Sequence, residues 1–382
     1  MTIADIDTDD VRTTNSPTVG EREVDETVLE TVGPLEGRSA DASVPDLISR
    51  VRPERVAKTL RCLDTTRGRG LEVGPLYAPM VTKDEADVWY VDIDTTESLR
   101  QHYSGHPGVP VEDIVQVDMP LTQDGRVRSI TEAAEGVGPF DWAVASHVVE
   151  HVPDLVGWLA DLAGSLVDDG LLALAVPDRR YCFDARRPRT TVGQMLAAHE
   201  DGDTRPSVRA VYDHHAEAVV ITPGDAWRGV DPGPAGRIHD LAYVQEQLAA
   251  HAGTSDYIDC HVWLFTPTEL VDQLSVLASL GLLDFVVEDV LPTAVDDLEY
   301  YVTLRRLPRT LSDVDRSRRL AEGFTAPEEQ RLPEPVVEDE PVVPEVPVGA
   351  ALQVVTDKEM RLIRVKRRAL GPVRRLAGRL AR

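Results

Sequence analysis

The residues best placed to do chemistry begin with Gly70–Pro75, GLEVGP, and continue with Asp92, eighteen residues after Gly74 in the stretch WYVDID. Glycine at 74 has no Cβ, so the main chain there can lie against a ligand. A carboxylate at the end of the next apolar run can accept hydrogen bonds from two ribose hydroxyls. The pair is suited to an adenosine-containing cofactor. Pro75 has no N–H, which makes the turn a poor cradle for a pyrophosphate, because phosphate oxygens need several aligned donors. The glycines of RGRG precede the first apolar run instead of following it, so the nicotinamide-dinucleotide fingerprint is not met.

Alternating strand and helix signals from about Val51 to Arg306 must position these residues. They predict an α/β fold with a Rossmann-like, seven-stranded, mostly parallel sheet and helices on both faces. The expected strands are Leu71–Val73, Val88–Ile93, Ile114–Val117, Trp142–Ser146, Leu171–Val176, Phe285–Val290 and Tyr300–Leu304. A helix with Leu155, Trp158, Leu159, Leu162 and Leu166 on one face is expected to stop at Asp168, Asp169 and Gly170. Another is framed by Thr266 as N-cap, Pro267 at its first position, Glu269 closing a capping box and Gly281 past its end. Ligands of such sheets bind beyond the carboxyl ends of the strands. The positions to inspect are therefore Glu72 to Gly74, Asp92, Asp118 with Met119, and Ser146 with His147.

The segments LEVGPL, YVDID, VQVDMP, FDWAVASHVVEHVPD and LVDDGLLALAVPD, in that order, resemble the class I S-adenosylmethionine-dependent methyltransferases, most closely the type 11 group. The resemblance spans about Gly68 to Asp178 and weakens towards Arg306. It implies S-adenosylmethionine as cofactor. It further implies that Glu72 and Gly74 hold the methionine part, Asp92 the ribose, and Asp118 with Met119 the adenine. Ser146 and His147 would lie near the sulfonium methyl, and His151 would match the histidine of an EH pair opening the next helix. The family often has a second glycine two positions after the first, where this chain has Leu76.

Methyl transfer needs alignment more than a nucleophile. For a hydroxyl acceptor, His147 and His151 are the candidate bases, with a purely organising role for His151 as the other reading. The acceptor should be met by the insertion at 178–265, which overhangs the strand ends. It opens with Arg179, Arg180, Tyr181, Arg186, Arg187 and Arg189. Arginines at a rim suggest an anionic group, and salt pairing within the loop is the alternative. His214, His215, His239 and His261 follow; they could bind a divalent metal or supply a base, with buried, satisfied histidines as the other reading, and no ligand spacing among them is diagnostic. The insertion also looks like that of methyltransferase-like proteins found with bacterial surface-polysaccharide enzymes. That implies O-methylation of a saccharide or cell-envelope metabolite, with a small-molecule or glycan acceptor. A methyltransferase fold that only binds, as a scaffold in glycan biosynthesis, is the alternative. A sugar-nucleotide dehydratase or reductase is a further one, disfavoured by the missing glycine fingerprint.

The chain has 382 residues and a formal net charge of -26, unevenly spread. Residues 1–50, with twelve acids against four basic residues, read as a disordered arm ahead of a methyltransferase domain at 51–310. An acidic, Pro-rich linker is expected at 311–348, and a basic amphipathic helix at 349–382 that could touch an anionic membrane surface. An acidic body argues against nucleic acid as a partner. Three unpaired cysteines, Cys62, Cys182 and Cys260, and no leader or membrane span suit a cytoplasmic enzyme.

Overall fold

The computed structural model describes residues 53–325 and 327, apart from 107–108, 234–235 and 255–256. The arm at 1–50, the basic segment at 349–382 and most of the linker lie outside the described residues. Among the described residues nine strands are formed: β1 (Gly70–Val73), β2 (Val88–Asp92), β3 (Met119–Pro120), β4 (Thr122–Gln123), β5 (Arg126–Val127), β6 (Phe140–Ser146), β7 (Leu166–Pro177), β8 (Phe285–Leu291) and β9 (Glu299–Arg306). Seven of them make one sheet in the order β3-β2-β1-β6-β7-β9-β8, and β4 and β5 make a separate hairpin. The pairs among β3, β2, β1, β6 and β7 are parallel, and β9 is antiparallel to both its neighbours. The chain steps outward from β1 to β3 and then returns to β6, so the direction of winding reverses between β1 and β6. That reversal opens a crevice at the carboxyl ends of these two strands.

Packing between β1 and β6 explains the glycine that opens GLEV. Gly70 is paired with Trp142, and a Cβ on Gly70 would fall 1.9 Å from the indole. The indole thus lies across β1 and fixes the register that carries Val73 opposite Ala145.

The helices are α1 (residues 53–60), α2 (Thr96–His102), α3 (Ile130–Ala133), α4 (Leu155–Ser165), α5 (Val192–Asp201), α6 (Val208–Glu217), α7 (Pro223–Trp227), α8 (Leu241–Gly253), α9 (Pro267–Ser279) and α10 (Asp313–Glu322). Leu155, Leu159 and Leu162 of α4 are buried against the sheet, each worth about 1.5–3 kcal/mol of removal from water. The α9 boundary is as expected, with the Thr266–Glu269 capping box complete. Four helices, α5 to α8, fill the insertion.

Three local expectations need correction. The third strand is Met119–Pro120, not Ile114–Val117. The Val117 amide is taken by the Thr96 hydroxyl at 2.9 Å and that of Val115 by the Leu76 carbonyl at 2.8 Å, so neither is available to a ladder. Helix α4 ends at Ser165, short of the expected stop, and Asp168 and Asp169 sit within β7, where they pair with Arg306 and Arg319. Finally, α10 lies inside the expected linker. Its charged sequence carries no broad apolar stripe, but Arg316 binds Asp284, and the Gly323 carbonyl just beyond the helix accepts the Val287 amide of β8 at 2.8 Å.

Gly70→Ala should lower the stability of the domain by about 1–3 kcal/mol, the cost of overpacking a filled site, because the methyl must displace the Trp142 ring. Denaturant unfolding followed by tryptophan fluorescence measures this, and an unchanged midpoint would remove the packing argument.

Candidate active site

On the cofactor side, the turn after β1 is shaped by two left-handed residues, Gly74 at φ +65 and Leu76 at φ +45. A Cβ on Gly74 would press the Val148 methyl at 3.0 Å, so the glycine lets β1 end close against the residue following His147. Position 76 keeps the backbone conformation that a glycine would adopt freely, with leucine in its place. The expected weakness of this turn is therefore one of residue type and not of shape.

Glu72 is buried, and its carboxylate accepts the Met80 amide at 2.6 Å and the Val81 amide at 3.1 Å. It folds the following loop back on the strand. Asp92 ends β2, where its Oδ1 accepts the Ile93 amide at 2.7 Å. Burial pushes its carboxyl up to about 6, against the lowering effect of hydrogen bonds from the Ile93 and Leu76 amides and with some help from Asp94. Ile93 itself is 48% exposed at the strand end, an apolar surface with nothing packed over it among the described residues.

Asp118 does not join this group. It precedes β3, and its carboxylate accepts the Tyr90 amide at 2.8 Å and the Lys83 ammonium at 2.5 Å. With Lys83, Asp87, Val88 and Trp89 it lines a surface cleft by the start of β2. The end of β3 is instead continued by Leu121 and Thr122, whose amides bind the carbonyls of Asp92 and Ile93, both at 2.9 Å. Met119, expected beside Asp118, is buried in the core.

Beyond β6 the chain turns sharply, with His147 at φ +52. Its Nε2 lies 2.8 Å from Glu299 Oε2. A carboxylate only accepts, so Nε2 carries the proton and Nδ1 keeps its lone pair. Glu299 also receives Arg55 from α1 at 2.7 and 2.9 Å and the Tyr301 hydroxyl at 2.7 Å. Although burial works the other way, these partners hold its carboxyl well below the usual range. Ser146 accepts a second hydrogen bond from Arg55 at 2.6 Å. Glu299 was not foreseen. It stands at the start of β9, and because β9 runs antiparallel, its start lies at the carboxyl ends of its parallel neighbours.

His151 donates from Nδ1 to Asp259 at 2.8 Å, which leaves Nε2 on the side of Glu150, 3.9 Å from its Oε1. Burial opposes the charged form, but Asp259, together with Glu150 and Asp184, outweighs it and raises the imidazole above its ordinary range. His261, from the insertion, packs edge-on to His151 with ring centroids 4.7 Å apart. Its Nδ1 donates to Asp184 at 2.6 Å, and Asp184 is also bound by Arg187 at 2.7 Å. Burial pushes His214 and His215 down to about 3 and 4, so both rings are neutral at pH 7.

Four of the five rim arginines are held by carboxylates of the chain, while Arg189 is exposed. Arg179 binds Glu269 through two bonds of 2.9 Å, and Arg180 binds Asp178 at 2.9 and 2.7 Å. Arg186 pairs with Asp231, and Arg187 with Asp184. Tyr181 is buried and stacked on Trp227 at 4.1 Å between centroids. These contacts support the salt-paired reading of the loop for Arg179 and Arg180, in place of the anionic acceptor expected there, and Tyr181 serves the packing of the insertion.

A family model described as a methyltransferase domain matches residues 38–274. No curated protein matches the chain. Among solved structures, a protein of Rhodobacter sphaeroides provisionally described as a zinc-dependent alcohol dehydrogenase aligns at 13% identity and TM-score 0.36, over 66% of this chain and 89% of its own. One of Listeria monocytogenes provisionally described as an S-adenosylmethionine-dependent methyltransferase aligns at 10% identity and TM-score 0.33, over 68% and 99%. An S-adenosylmethionine-dependent methyltransferase of Mesorhizobium loti aligns at 13% identity and TM-score 0.31, over 65% and 96%. Scores this low carry no argument, and the assignment rests on the family match together with the sheet and its crevice. The chain belongs to the methyltransferase-domain family, as a class I enzyme that uses S-adenosylmethionine.

Proposed function

We propose that the enzyme methylates an oxygen of a neutral, hydroxyl-rich acceptor, a saccharide or a related cell-envelope metabolite. The observation that carries this reading is the imidazole of His147 at the end of β6, fixed through Nε2 by Glu299 so that its Nδ1 can take a hydroxyl proton. His151, backed by Asp259, stands beside it. Carboxylates Glu150, Glu299 and Asp259 surround these rings while the nearby arginines are paired. Such a surface repels anions and suits hydroxyl donors.

The cofactor side fits the same reading. S-adenosylmethionine, when bound, supplies a methyl carbon made electrophilic by its sulfonium. Asp92 would accept the ribose hydroxyls, Gly74 would let main chain approach, and Glu72 would hold the loop that closes on it. Ile93 offers an uncovered apolar face for the adenine. Leu121 and Thr122, whose amides bind the carbonyls of Asp92 and Ile93, would carry the chain past the end of β3 beside that adenine. Ser146 steadies the turn through Arg55. The basic residues of 358–382 would hold the enzyme at an anionic membrane surface, near lipid-linked acceptors. Among the described residues no helix is long and apolar enough to cross a membrane.

The test is transfer of radiolabelled methyl from S-adenosylmethionine to neutral saccharides and to envelope glycan extracts, with the product resistant to base as an ether must be. Label in anionic or amine acceptors alone would overturn the saccharide reading. Binding of S-adenosylhomocysteine with no transfer to any extract would favour a binding protein.

His147→Ala should lower kcat by roughly 10²–10⁴-fold, the range for loss of a positioned base, while calorimetry gives an unchanged affinity for S-adenosylhomocysteine. Equal losses in both would mean that His147 only supports the pocket.

Asp92→Ala should weaken S-adenosylhomocysteine by about 1–3 kcal/mol. Because the ribose contact needs the ionised carboxylate and the free carboxyl titrates at about 6, wild-type affinity should fall as pH drops below that value. The expected slope is about tenfold per pH unit. Asp92→Asn should bind weakly with no such slope. A flat wild-type profile between pH 5 and 7 would contradict the assignment.

A further inference from the structure

Glu150 is a buried carboxylate that the described residues leave without a donor. It is 1% exposed, and neither carboxylate oxygen has a hydrogen-bond partner. A buried carboxylate with no donor is costly, so something that the chain itself does not supply must answer it. Its neighbours make the need specific. His151 Nε2 is 3.9 Å from Glu150 Oε1 and His147 Nδ1 is 3.7 Å from it, both nitrogens acceptors when their rings are neutral, because carboxylates hold the far side of each ring. In His261 the Asp184 carboxylate holds Nδ1 at 2.6 Å, so Nε2 is the acceptor there too. One ligand atom each from Glu150, His151 and His261 lies within 4.8 Å of the others. The cluster gathers a carboxylate and two imidazoles around one space, and a metal ion entering it would displace any proton they share.

The geometry points to a site for a divalent first-row transition-metal ion held by Glu150, His151 and His261. Two imidazoles and one carboxylate are a donor set for zinc, manganese, cobalt or iron, whereas magnesium and calcium take oxygen ligands. Each histidine has its outer nitrogen on a carboxylate, Asp259 for His151 and Asp184 for His261, which is how metal-ligating imidazoles are oriented and made more basic. Ligand atoms around such an ion stand about 3.0–3.5 Å apart, given bonds of about 2.0–2.2 Å. The three groups need to close by roughly an ångström on binding. The main chain favours that closure, because the Glu150 carbonyl binds the amides of Val262 and Trp263, directly after His261.

Three protein ligands leave coordination positions open, as in metal sites that bind a substrate oxygen. This step rests on the proposed O-methylation: an acceptor hydroxyl on the metal would be acidified and held beside His147. His151 is then a ligand and not a base, which leaves proton removal to His147.

The full chain, stripped with chelator, dialysed and titrated with Co²⁺ alone, should bind one equivalent with visible ligand-field absorption. Glu150→Gln, which keeps the shape of the side chain, and His261→Ala should each weaken Co²⁺ by ~100-fold or more, and Asp259→Asn by about tenfold. Affinity for S-adenosylhomocysteine, measured on the same samples, should be retained and reports that the variants are folded. Absence of Co²⁺ binding, or equal binding by Glu150→Gln, overturns the site. Neither readout needs methyl transfer. A protein that binds Co²⁺ as expected but transfers no methyl to saccharides keeps the metal site and loses the acceptor assignment.

Discussion

The carbonyl of Glu150 is the point on which the active region depends. It accepts the Val262 and Trp263 amides at 2.6 and 3.2 Å, and the Trp263 indole reaches the Val152 carbonyl at 2.6 Å. These bonds tie the turn after β6, which belongs to the common fold, to the closing segment of the long insertion. With the Asp259–His151 bond and the His261–His151 ring contact, they set the insertion against the turn that carries His147 and His151. The same segment continues as a parallel bridge from Phe265 to Asp178 and then enters α9 through the Thr266 cap. One run of main chain therefore joins the ends of β6 and β7 to the acceptor side.

Charge is handled differently on the two sides of this tie. In the insertion nearly every arginine is neutralised locally: Arg187, fully buried, bridges Asp184 and the His261 carbonyl, and Arg180 lies over Tyr181 while binding Asp178. Around His147 the balance is the reverse. Glu299 is well supplied with donors, whereas Glu150 has none. Breaking a buried pair is costly because it strands a charge, and Glu150 has that stranded condition built into the fold. The arginines organise the walls, and the unanswered carboxylate marks the place where something must enter.

How much could be read in advance follows from where each signal lies along the chain. Strands β1, β2, β6 and β7 are buried on both faces, so their apolar runs are continuous and their ends visible; Gly74, Asp92 and His147 were legible for that reason. The capping box of α9 is local and equally plain. VQV before Asp118 has the composition of a strand, but its amides are taken by Thr96 and Leu76, a tertiary competition that no window of sequence displays. Asp118 was misplaced with it. Glu299 escaped notice because inspection of the residue after each apolar run suits parallel strands, and in the antiparallel β9 the ligand end comes before the run. Asp184 and Asp259 matter only through histidines 77 and 108 residues away.

Leu76 shows how a departure in sequence can leave function intact. Glycines after the first strand serve to let the backbone turn left-handed and to keep side chains away from the ligand. Here the turn is kept at φ +45, and the leucine side chain is directed into a small cluster with Leu99, Ile114 and Val117. Packing there offsets the ~1–2 kcal/mol that a left-handed leucine costs. The Leu76 amide still serves Asp92. What a glycine supplies by lacking a side chain, this chain supplies by burying one, so the missing glycine is not evidence of a lost cofactor pocket. The constraint has moved from residue 76 to the α2 region that covers it.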